Sequence, residues 1–139
     1  LLLLGCTHTY SIGDYYKSSA DEGIVVEING DGQPSMLLSL FEISDIDADS
    51  ALRWSAALDA GWSLPDNEQM LHIRKYRAVI NTTLTQRSLP TVMHNHTFYW
   101  TSTAGEKSHH YAMGPNGLKL YFHSNHSPYY RARAVKNLY

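Results

Sequence analysis

A single cysteine, Cys6, among 139 residues excludes an intrachain disulfide, so whatever this chain folds into is held by its core. Nor is there an apolar run approaching the roughly 20 residues that a membrane-crossing helix needs. Charge of one sign is also missing: 11 basic against 13 acidic side chains leave a net charge of -2, with no basic field to draw the chain to nucleic acid. Catalytic signatures are absent as well. There is no glycine-rich phosphate loop, no nucleophile elbow, no His-Glu-x-x-His zinc motif and no serine, histidine and aspartate in a recognisable order. These absences point away from an enzyme and call for no cofactor.

What is present suits one compact domain. Hydrophobic residues make up 43% of the chain, enough for a sizeable core at this length. Ten tyrosines and three tryptophans favour strands, and also a surface able to stack on a ligand.

The first strong local pattern is a hairpin. Gly23 to Ile28 is β-branched and apolar, Asn29-Gly30-Asp31-Gly32 supplies a turn, and Met36 to Leu40 follows as the second strand. Asn29 and Asp31 lack the further carboxylates that a calcium cage requires. The acidic stretch Glu42, Asp45, Asp47 and Asp49 precedes a helical pattern running to Ala60, which Asp49 or Ser50 would cap and Gly61 would stop, with Leu52, Ala56 and Trp54 inward. Asp66 is placed to cap a second helix carrying Met70, Ile73, Arg77 and Ile80, ending or bending before Asn81. The last third reads as a strand meander: Phe98 to Thr103, His109 to Met113, Leu118 to Phe122 and Tyr129 to Lys136.

Three segments carry a resemblance: Gly61-Trp62-Ser63-Leu64-Pro65-Asp66-Asn67-Glu68, then Tyr99-Trp100-Thr101-Ser102-Thr103, then Arg131-Ala132-Arg133-Ala134-Val135-Lys136. In this order they resemble the C-type-lectin-like domains of bacterial surface lipoproteins and adhesins, of the major paralogous domain type. The resemblance covers roughly residues 23–138. It implies an α+β fold in which two helices pack on a mainly antiparallel sheet and the first and last strands pair. It also implies structural roles for Trp62, Pro65, Glu68, Trp100, Arg131 and Arg133, with Glu68 pairing to a basic side chain of the final strand. Alternate strand positions put Arg131 and Arg133 on one side, as a buried structural pair or as an anion-binding pair. The calcium-dependent sugar motifs of animal lectins are missing, and so is the cysteine pair of the formylglycine-generating enzymes that share this general fold.

The N-terminus gives a separate indication. Leu1-Leu2-Leu3-Leu4-Gly5-Cys6 resembles the end of a secretory signal running into a lipoprotein cleavage box, with Cys6 as the lipidated residue. The expected organisation is therefore a signal remnant over residues 1–6, a tether over 7–22 and the domain over 23–139, exported and held at a cell surface or outer membrane by lipid.

Histidine is concentrated late, at His94, His96, His109, His110, His123 and His126. The pairs His94/His96 and His123/His126 have spacings that suit a shared zinc ion, although no cysteine or carboxylate is interleaved to complete a set. The sequence therefore assigns no metal ligand. It reads these histidines as part of a recognition face made of His94, His96, His109, Tyr111, Asn116, His123, Asn125, His126, Tyr129 and Tyr130. Aromatic rings stack on apolar sugar faces while Asn and His exchange hydrogen bonds with hydroxyls. The expected partner is an extracellular glycan or protein. A histidine-dependent metal-binding protein or hydrolase is the alternative, and a structural subunit of an envelope assembly is a third reading.

Overall fold

The computed structural model describes residues 8–59, 61–93, 96–104, 109–117, 119–123 and 128–138. The elements run β1 (Tyr15–Lys17), β2 (Glu22–Ile28), β3 (Pro34–Ile46), α1 (Ala48–Ala56), β4 (Trp62–Ser63), α2 (Asn67–Lys75), α3 (Arg77–Gln86), β5 (Tyr99–Ala104), β6 (His109–Met113), β7 (Lys119–His123) and β8 (Tyr130–Asn137). The class is α+β: three helices and a mixed sheet of eight strands, in the order β1-β2-β3-β8-β5-β6-β7, with β4 also paired to β8. Only the β5–β8 pairing is parallel among the described strands.

The last strand does share a sheet with the early hairpin, but its partner differs from the expected one. β8 pairs with β3, the hairpin's second strand, while β1 lies at the far edge beyond β2. The reason is that both edges of β2 are occupied, by β1 and by β3, which leaves the other edge of β3 for β8. Two apolar clusters form on the strands. One joins Ile24, Val26, Met36, Leu38, Tyr99, Met113 and Val135 to Met70 and Ile73 of α2 and Ile80 and Leu84 of α3. The other joins Ile46, Trp100, Ala112 and Ala132 to Ala48 and Ala51 of α1. Residues of opposite parity on β5, Tyr99 and Trp100, enter different clusters, as strand alternation requires.

The residues expected as a tether contribute to the fold. Lys17 pairs with Glu22 and Tyr15 with Ile24, the Gly13 N–H donates to Val25 O at 2.7 Å, and Thr83 Oγ1 of α3 donates to Gly13 O at 2.5 Å. Composition misleads here because Tyr15 and Tyr16 are interspersed with turn residues. Tyr15 is fixed by its hydroxyl on Glu22 and by the Arg87 guanidinium 3.3 Å above its ring.

The helix signals resolve with one shift. Asp47, not Asp49 or Ser50, caps α1, its Oδ1 accepting from Ser50 N at 2.8 Å. The earlier start rotates the helix, so Ala48, Ala51 and Ser55 are buried while Leu52 and Ala56 lie exposed. Asp66 caps α2 as expected, and Gln69 returns the bond to the Asp66 N–H at 2.9 Å, completing a capping box. The single helix expected beyond it is two, divided at Tyr76, whose φ of -105° is outside the helical range.

β3 is irregular in a way that matters for the surface. Against β8 its register passes from Leu38/Val135 to Glu42/Arg133, and then from Ile43/Ala132 to Ile46/Tyr130. The first slip inserts two extra residues into β3 and the second inserts one, bulges that bend the strand and re-aim its side chains. The acidic residues Glu42 and Asp45 belong to this strand and are not part of a helix approach.

Candidate functional site

The second slip lies beneath a cleft of about 390 Å³ lined by Ser44, Asp45, His96, Thr97, Phe98, Tyr129, Tyr130 and Arg131. Three residues that the sequence assigns to a recognition face, His96, Tyr129 and Tyr130, meet here. Two of the lining residues hold left-handed backbone, Asp45 at φ 52° and His96 at φ 64°. Such conformations are uncommon outside glycine and concentrate at functional sites.

Aromatic packing builds one wall. The Tyr130 ring is stacked on Phe98 at a centroid distance of 5.2 Å and also touches Trp100 and Phe122 at 5.2 and 5.7 Å. Burial raises its phenol above the ordinary value, so it remains a neutral hydroxyl at physiological pH. Tyr129, the preceding residue, is 68% exposed and makes none of these ring contacts. One tyrosine thus supports the wall and its neighbour offers a free ring.

Arg131 supplies the cation. Its Nη1 donates to Glu42 Oε2 at 2.8 Å, which fixes the guanidinium while leaving about a third of the side chain exposed. That hydrogen bond holds its pKa above the usual arginine value.

Behind the cleft lies a saturated polar cluster. Glu42 Oε1 accepts from Tyr99 OH at 2.8 Å and from Arg133 Nη1 at 3.1 Å. Arg133 also donates from Nε to Ser39 O at 2.8 Å, from Nη2 to Leu40 O at 2.8 Å and from Nη1 to Pro90 O at 2.6 Å. Desolvation lowers the Arg133 pKa, opposed by the Glu42 charge. Burial is also the main cause that pushes the Tyr99 phenol far up, reinforced by Glu42. The acidic partner of the final strand's arginines is therefore Glu42 and not Glu68, which is exposed in the first turn of α2. Sequence order misled because Glu42 sits in a stretch that read as helix approach. Of the two options for the arginine pair, Arg133 is the buried structural member, and Arg131 spans both descriptions.

The other assigned residues are dispersed. His109 and Tyr111 lie on β6, with His109 opposite His123 and Tyr111 opposite Tyr121 of β7. Asn116 is exposed in the turn beside α2, where Arg74 Nε donates to Pro115 O at 2.8 Å. His94, Asn125, His126 and Cys6 fall outside the described residues. Among the described residues no three His, Cys, Asp or Glu side chains group as a metal site. His110 Nε2 instead stands 3.4 Å from Asp49 Oδ1 without hydrogen-bonding geometry, and His72 Nε2 is 2.6 Å from Val26 O. Trp100 is buried, donating from Nε1 to Ile46 O at 2.8 Å; Trp62 begins the short β4 and Pro65 follows it, its carbonyl accepting from Ser102 N at 2.9 Å.

Ser44, Asp45, Thr97 and Phe98 were not assigned from sequence. Phe98 could have been found from its alternation with Trp100, but Asp45 depends on a bulge that no local pattern announces. No family model matches this chain, and neither does any curated protein.

Proposed function

We propose that this chain is a non-catalytic surface recognition module of C-type-lectin-like type, exported and lipid-anchored through Cys6, that binds glycan, matrix or a surface protein. The observation that carries the reading is the convergence of His96, Tyr129 and Tyr130 with Arg131 in one open cleft. An exposed ring beside an anchored guanidinium and several hydroxyls suits stacking and hydrogen bonding to a polar ligand. The lectin-like assignment is supported by the early hairpin and the last strand sharing a sheet, and by Trp62 pairing opposite Lys136 of that strand.

Acid and base chemistry at this cleft would fall to Asp45 and His96, the carboxylate and imidazole in its lining, and no hydrogen bond couples the two among the described residues. The carboxylate best placed behind it, Glu42, has 6% of its side chain exposed and already accepts from three donors. A general base must reach the proton it removes.

The test is a glycan and matrix-component binding screen of the chain, with and without a chelator, repeated with Tyr129→Ala, His96→Ala and Arg131→Gln. Binding that resists the chelator and is lost in these variants is the expected result. Chelator-sensitive binding would transfer the reading to a histidine metal site, and no binding at all would favour a structural subunit.

A further inference from the structure

The first slip in β3 also shapes a surface. Between Leu38 and Glu42 the extra residues are tied down completely: Arg133 takes the carbonyls of Ser39 and Leu40, and Ser39 Oγ donates to Phe41 O at 2.8 Å while accepting from Ala134 N at 3.1 Å. On this fixed backbone Phe41 projects outward with 64% of its surface exposed. Burial in this fold does not account for a phenylalanine so displayed.

Phe41 borders a cleft of about 200 Å³ whose other apolar walls are Leu40, Trp54 and Leu58, the last two from the end of α1 and just beyond it, and Trp62 of β4. The charged groups of this cleft are Glu22 and Asp59. Glu22 is steadied by the Tyr15 hydroxyl, and Asp59 has no side-chain partner among the described residues. Lys136, opposite Trp62 in the sheet, is committed to Asp21. Three aromatic side chains and two carboxylates therefore share one opening with no basic residue in its lining.

We propose that this cleft binds an organic cation carrying an alkylated ammonium group. The negative faces of aromatic rings attract such a cation, and its methyl groups lose little by leaving water for apolar walls. It also needs no hydrogen-bond acceptor, which fits a cleft whose hydroxyl, Ser39 Oγ, is already donating to the Phe41 carbonyl. The carboxylates add attraction and disfavour anions. A neutral sugar could donate hydroxyls to the carboxylates but has no net charge for them to attract. The same chemistry is offered by a free choline-like solute and by a phosphocholine headgroup. The site lies at a different bulge from the His96/Tyr129 cleft and does not depend on its function.

The test is a tryptophan-fluorescence titration of the 139-residue chain, in which Trp54 and Trp62 line the cleft and Trp100 is buried. Choline is compared with 3,3-dimethylbutan-1-ol, its uncharged isostere, and phosphatidylcholine vesicles with phosphatidylglycerol vesicles. A saturable response to choline, about ten-fold weaker or more for the isostere, is expected. Phe41→Ala weakens it about three- to thirty-fold, Asp59→Asn weakens it with a reduced salt dependence, and Tyr129→Ala leaves it unchanged. Response to choline alone identifies a free solute, and response to phosphatidylcholine vesicles identifies a headgroup. Equal binding of the isostere, full affinity in Phe41→Ala, or no saturable response to either choline or phosphatidylcholine overturns the proposal.

Discussion

Arg133 Nη1 lies 3.1 Å from Glu42 Oε1, and the two side chains are 1% and 6% exposed. This pair joins β8 to β3 between the two slips, and Arg133 also holds the first bulge through the Ser39 and Leu40 carbonyls. Buried ion pairs add little net stability over apolar packing, but removing one partner leaves the other charge without compensation. Glu42→Gln is therefore expected to cost about 3–5 kcal/mol, with Arg133→Met in the same range because the Ser39, Leu40 and Pro90 carbonyls also lose their donor. The double substitution should cost less than the sum of the two, since each alone strands the other. Denaturant titration of the four proteins measures this, and strict additivity would show that the pair is not a unit.

Alkaline stability should depend on Tyr99. Its folded-state pKa is raised above the ordinary 10.0, first by burial and then by Glu42, so the folded protein keeps a proton that the unfolded chain releases. The associated stability is complete below the unfolded value and declines as pH rises above it toward the folded value. Tyr99→Phe removes this component and should flatten the loss of stability from about pH 9 to 11, while lowering stability at neutral pH by about 1–2 kcal/mol through the lost bond to Glu42. An unchanged alkaline slope would exclude Tyr99 as its source.

Acid behaviour has the opposite sign at Asp47. The Ser50 N–H holds its carboxyl below the ordinary aspartate value of 3.8, so its contribution is present above that value and lost as pH falls through the lower, folded value. Asp47→Asn keeps a capping acceptor and removes this acid limb, whereas Asp47→Ala loses the cap and should melt at a lower temperature at neutral pH as well. Thermal melts at neutral and acidic pH separate the two variants. Equal acid sensitivity in wild type and Asp47→Asn would place the titration elsewhere.

Legibility followed the range of the interactions involved. Asp66, the Asn29 to Gly32 turn and β6 over residues 109–113 are set by neighbours in sequence, and their residues announce them. Asp47 was missed because several adjacent acids satisfy the same capping pattern, and geometry selects one. The pairing of Glu42 with Arg131 and Arg133 spans about ninety residues, and no local pattern reaches that far. The candidate cleft was legible where side-chain type matters, at His96, Tyr129 and Tyr130. It was illegible at Ser44 and Asp45, which arrive there through the bulge.

Gly114 connects the β6–β7 turn to the cleft, though it does not line it. A Cβ at this position would stand 2.7 Å from Phe98 Cε1, so the ring must move, and Phe98 is the residue stacked on Tyr130. Gly114→Ala should therefore cost about 1–3 kcal/mol through overpacking and disturb the aromatic wall beneath Tyr129. Gly30→Ala is the control, because no atom lies within 4 Å of its added methyl. Near-ultraviolet circular dichroism should change for Gly114→Ala and not for Gly30→Ala, and any ligand taken by the His96/Tyr129 cleft should bind the former more weakly. Tyr129→Ala, by contrast, removes an exposed ring and should leave stability within about 0.5 kcal/mol of wild type while weakening the same ligand about five- to thirty-fold. Weakened binding in Tyr129→Ala with normal binding in Gly114→Ala would mean that the ligand uses the free ring alone and that the Phe98–Tyr130 wall plays no part in holding it.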